Sequence, residues 1–83
     1  MTEPIEPKRR ELEELARGKL ARVLGEAKAL RVFGETLALA GLEGIETPSD
    51  LHAFGAVLAR RGGFEGAIGG LLSVAAVMRG AAA

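Results

Sequence analysis

The chain has 83 residues, enough for one small domain but in the size range where a single core is marginal and association with other chains is a common remedy. Eleven Lys/Arg balance eleven Asp/Glu, which excludes the bulk positive charge of a histone-like protein, and the absence of Cys excludes disulfides, thiolate metal sites and cysteine nucleophiles. Asn, Gln, Trp and Tyr are missing as well, and Arg outnumbers Lys, a composition like that of thermophile proteins or of a high-GC genome.

Residues 1–7, with Pro4 and Pro7, read as an extended arm, and the amino terminus through Arg10 is acidic and then basic. It has no apolar stretch, so no secretory signal is expected. The expected location is the cytoplasm or a particle assembled inside the cell.

From Lys8 the pattern becomes periodic. Ala16, Leu20, Val23, Ala27, Leu30, Gly34, Leu37 and Gly41 follow one another at alternating spacings of four and three. That is a heptad seam, and it predicts a single long helix over residues 8–41. One row of the seam shrinks from Leu20 through Ala27 to Gly34 and Gly41, which would let a partner backbone approach more closely toward the carboxyl end. Between Ala29 and Leu42 only Arg31 and Glu35 are charged, four apart on one face where they could pair.

The segment GLEGIETPSD is a connection that ends on a helix start signal, with Thr47 as N-cap, Pro48 at the first helical position and Asp50 two positions further on. A second helix is predicted over 48–61, with Leu51, Phe54, Val57 and Leu58 on its apolar face. Gly62 and Gly63 favour a break, because two adjacent glycines cost about 2 kcal/mol in a helix interior. A third helix over 64–79 follows, with Phe64, Ile68, Leu71, Leu72, Ala75 and Met78 at helical spacing, and residues 81–83 form a short tail. No segment alternates with period two. The expectation is an all-α protein with a single helical domain over 8–80: a long N-terminal helix followed by one or two shorter helices, as a helical hairpin or three-helix unit.

Residues 61–80, RGGFEGAIGGLLSVAAVMRG, contain six glycines and one acid, Glu65. A membrane span needs about 20 predominantly apolar residues, and the uncharged run from Gly66 to Met78 has 13. A phosphate loop needs a preceding strand and a Lys-Ser/Thr ending, and neither is present. The remaining reading is close helix packing through Gly62, Gly66, Gly70 and Ser73, spaced about one turn apart. With Ala27, Leu30, Gly34, Leu37 and Gly41, these are the residues expected in helix and subunit contacts.

No catalytic, cofactor or metal site is expected. His52 is the single histidine, and Asp50, two positions away on a helix, points elsewhere. Ser49 and Ser73 have no base-and-orienter set around them.

The basic residues concentrate early. Residues 1–31 hold eight Lys/Arg and six Glu, whereas residues 32–83 hold three Arg against five acids. Lys8, Arg9, Arg10, Arg17, Lys19, Arg22, Lys28 and Arg31 could contact phosphates if neighbouring subunits aligned them into one surface. Residues 20–45 resemble a winged helix-turn-helix in Leu24-Gly25 and Ala40-Gly41-Leu42. They depart from it in the turn, where Glu26-Ala27-Lys28-Ala29 are good helix formers.

The function expected is therefore structural: a self-assembling helical subunit or interaction module whose partner is another copy of itself. It would form an oligomer, or a filament or virion-like coat, with the apolar carboxyl-terminal half in subunit contacts and the basic first helix available to a polyanion. The alternative is a small DNA-binding regulator of the helix-turn-helix kind.

Overall fold

The computed structural model describes the backbone of residues 5–81 and the side chains from Glu11 onward, and these residues form four helices with no strand. They are α1 (Ile5–Leu24), α2 (Glu26–Ala40), α3 (Pro48–Ala59) and α4 (Gly63–Met78). Residues 1–4 of the expected arm and 82–83 of the expected tail lie outside the described residues. Pro7 falls in the first turn of α1, where its missing N–H removes no helical hydrogen bond.

The expected single helix over 8–41 is two helices, so the long-helix reading is corrected at Gly25. That residue has φ 86° and ψ 159°, a backbone conformation that residues with a Cβ essentially do not adopt. Its N–H still donates to Ala21, ending α1, and its carbonyl already accepts from Ala29, starting α2. One residue thus makes the whole corner. Beyond it the buried positions change register, from Leu12, Ala16 and Leu20 in α1 to Ala29, Val32, Phe33 and Thr36 in α2. The Thr36 hydroxyl, fully buried, donates back to the Val32 carbonyl at 2.7 Å, so no polar group is stranded.

Gly41 ends α2 in the left-handed conformation, and the Leu42 N–H folds back onto the Leu37 carbonyl. The connection that follows is tied to α1, because the Ile45 N–H donates to a Glu13 carboxylate oxygen at 3.0 Å. Helix α3 starts as expected: the Asp50 N–H donates to the Thr47 hydroxyl, and the Asp50 carboxylate accepts from the Thr47 N–H. The break at Gly62 and Gly63 is also as expected, with φ 73° and 60°.

The core lies where the helices converge. Leu20, Val32, Ile45, Leu51, Phe54, Leu58 and Leu72 have essentially no exposure. Phe33 and Phe54 join α2 to α3 with ring centroids 5.3 Å apart, and the Arg17 guanidinium of α1 stands 5.8 Å from the Phe33 ring centre.

Candidate interaction surface

Helices α3 and α4 make the most extensive pair in the fold. Their contact is built from small residues because the backbones nearly touch. A Cβ on Gly69 would lie 2.4 Å from the Ala59 nitrogen and 2.6 Å from the Gly55 carbonyl oxygen, and one on Gly55 would lie 2.7 Å from the Ser73 hydroxyl. Gly66 faces the Ala59 carbonyl at 3.0 Å on the same basis. The packing row is therefore Gly66, Gly69 and Ser73 against Gly55 and Ala59. Gly66 and Ser73 belong to the row expected from sequence. Gly62 caps the helix instead, and a Cβ on Gly70 would meet nothing within 4 Å, so within one chain the close-packing glycine is Gly69 rather than Gly70. The signal that identifies it is its partner, Gly55, which lies in another helix.

Because α4 presents its small side to α3 and Ile68, Leu72 and Ala76 to the core, its remaining large side chains point outward. Phe64 is 76% exposed, Leu71 58%, Val74 59% and Met78 81%, and Ala67, Gly70 and Val77 are exposed beside them. Positions 64, 67, 71, 74 and 78 alternate in steps of three and four, the spacing of an apolar seam on one side of a helix. The core face expected for this helix thus divides: Ile68 and Leu72 are inside, whereas Phe64, Leu71 and Met78 are outside. No charge occurs from Gly66 through Met78, so α4 has no polar face.

Only the start of α4 is anchored by charge. Glu65 accepts a hydrogen bond from the Arg61 Nε and lies 3.8 Å from the Lys28 Nζ of α2. A second Arg61 nitrogen reaches Glu35 at 3.3 Å. The expected Arg31–Glu35 pairing is accordingly replaced by a bridge from α2 to the α3–α4 turn. The hydrogen bond to Glu65 raises the Arg61 guanidinium above its ordinary pKa, burial opposes this, and Glu35 adds to the rise.

The expected heptad seam is partitioned by the Gly25 corner. Ala16 and Leu20 are buried, but Val23, Ala27, Leu30 and Gly34 face solvent, Leu37 is half-buried, and Gly41 lies beyond the helix. A groove of about 700 Å³ opens where α1 and α2 diverge, lined by Glu14, Arg17, Gly18, Glu26, Ala27 and Leu30. Its charges are mixed in sign.

Among the described residues the basic side chains are spread over different partners and faces. The side chains of Lys8, Arg9 and Arg10 lie outside the described residues. Arg17 is engaged with Phe33, Lys28 with Glu65, and Arg17 and Lys19, two positions apart on a helix, point to different sides. Arg22 and Arg31 are exposed, and His52 is half-buried in the first turns of α3. Among the described residues no group of three or more His, Cys, Asp or Glu could hold a metal ion, and no helix is long and apolar enough to cross a membrane. No known protein family, curated protein or solved structure matches the chain.

Proposed function

We propose that the protein is a self-associating helical subunit that uses the outer face of α4 as its principal contact. The observation that supports this reading is the exposed row Phe64, Ala67, Leu71, Val74 and Met78 on a helix that carries no charge over 13 residues. Single apolar residues at a surface need no explanation, but a contiguous row of them marks a contact face. Four large side chains held in water forgo roughly 1.5–3 kcal/mol each relative to burial, which a partner could recover in part.

The polyanion role of the first helix belongs to the same proposal as a secondary feature. Arg22 and Arg31 are the exposed cations available to it, alongside whatever Lys8, Arg9 and Arg10 contribute. The regulator alternative draws less support, since the exposed face of α2 sets Lys28 and Arg31 beside Glu26, Leu30 and Glu35.

Sedimentation over a hundredfold concentration range tests the reading. The expected result is a reversible rise in mass that Leu71→Glu and Val74→Glu suppress while helix content is retained. A protein that stays monomeric throughout, yet unfolds cooperatively, would overturn it.

A further inference from the structure

We infer, on the self-association reading above, that the outer face of α4 is covered by the α4 of a second copy, laid antiparallel across a twofold axis near Leu71. The pattern of the seam points to this orientation. Counting from Leu71, Phe64 and Met78 lie seven positions away on either side, and Ala67 and Val74 fill the places between. An antiparallel pair in full overlap sets Phe64 against the partner's Met78 and brings Ala67 within one residue, about 1.5 Å along the axis, of the partner's Val74. A flexible thioether then meets an aromatic ring at the outer layers, Ala67 meets a larger residue at the inner ones, and Leu71 meets its twin at the axis. A parallel pair would instead stack Phe64 on its twin and Ala67 on its twin, bulging at one layer and gaping at the next. Antiparallel alignment also opposes the two helix dipoles.

Gly70 is the second observation. It lies in the middle of a helix, is exposed, and a Cβ there would meet nothing within 4 Å. Nothing among the described residues requires glycine at that position. Placed beside Leu71 at the axis, its missing side chain lets the two α4 backbones approach closely. The area is of the right order as well: Phe64, Leu71, Val74 and Met78, each more than half exposed, offer with Ala67 at most roughly 600 Å² per protomer, against about 800 Å² a side in a standard interface. An isologous contact of this kind closes on itself, so the assembly through α4 is a dimer rather than an open filament.

Two measurements test the proposal. Gly70→Ala should move folding and association in opposite directions: the monomer becomes more resistant to urea, whereas the dimer dissociates at about five- to tenfold higher concentration. Because the chain has no Cys, Phe64→Cys and Met78→Cys can be mixed and treated with a short bismaleimide at concentrations where sedimentation shows dimer. In the antiparallel pair the mixed product forms, and Phe64→Cys alone does not cross-link, its twins lying about 21 Å apart along the axis. Cross-linking of Phe64→Cys to itself, without the mixed product, overturns the orientation. Dimers unaffected by Leu71→Glu overturn the α4 contact while leaving self-association standing, and a monomer at every concentration overturns both.

Discussion

The ring of Phe33 on α2 meets the ring of Phe54 on α3 at 5.3 Å and 44°, and through this contact the two halves of the molecule share one core. The Arg17 guanidinium of α1 stands over the Phe33 ring as well, so three helices converge on two aromatic rings. The third phenylalanine, Phe64, is outside.

Phe54 has no exposure, so Phe54→Ala leaves a cavity that the surrounding helices cannot easily fill. The expected loss is about 3–5 kcal/mol, a large share of the total for a domain of this size. Urea denaturation followed by circular dichroism measures it. A loss under 1 kcal/mol would show that the aromatic contact does not hold the halves together.

Gly69→Ala forces a Cβ into the α3 backbone and should destabilise by about 1–3 kcal/mol, with Gly55→Ala similar. Gly34→Ala, in open space on α2, should instead stabilise by up to about 1 kcal/mol. The opposite signs, read in the same denaturation experiment, separate close approach from helix propensity.

Gly25→Ala places a side chain at φ 86° and should cost about 1–3 kcal/mol if the corner is kept. If the cost is instead relieved by straightening, residues 8–41 become the continuous helix their spacing allows. Small-angle scattering distinguishes the two, since straightening lengthens the particle and a retained corner does not.

Glu65→Gln removes the carboxylate that Arg61 and Lys28 share. Both cations are partly exposed, so the expected loss is about 0.5–1 kcal/mol at low salt, shrinking in 1 M salt. The Arg61 pKa is raised in the folded state, so its contribution is fully present below its ordinary value and is lost only as pH rises through the higher folded value, in strongly alkaline solution. Stability curves at neutral and mildly alkaline pH should therefore give the same difference between Glu65→Gln and the unsubstituted protein.

Thr47→Ala breaks the capping box at the start of α3 and should cost about 1 kcal/mol. Thr47→Ser should restore most of it, as thermal unfolding of both variants would show.

Much of the fold is legible in the residues themselves, because it depends on local signals. Thr47, Pro48 and Asp50 announce α3, and Gly62-Gly63 announces the break before α4, each within a few positions of its effect. The corner at Gly25 is not legible, because Val23, Ala27 and Leu30 satisfy a helical seam whether or not the chain bends. Only the packing of Phe33 on Phe54 and of Leu20 in the core shows which way that conflict resolves. The same holds for α4. It has a small side and large apolar residues around the rest of its circumference, and which of those faces inward depends on the presence of Gly55 and Ala59 in a different helix.

The α3–α4 pair joins residues near in sequence through a turn of three residues, Arg60 to Gly62, whereas Phe33 and Leu12 must be brought to it from further away. Contacts of short sequence separation close fastest, so the tightest helix pair in the molecule is also the one expected to form first. Its backbone amides should then be the earliest protected in pulsed hydrogen exchange. The apolar side of α4 would be complete before the rest of the domain has closed, and encounters between newly made chains would begin on an already finished surface.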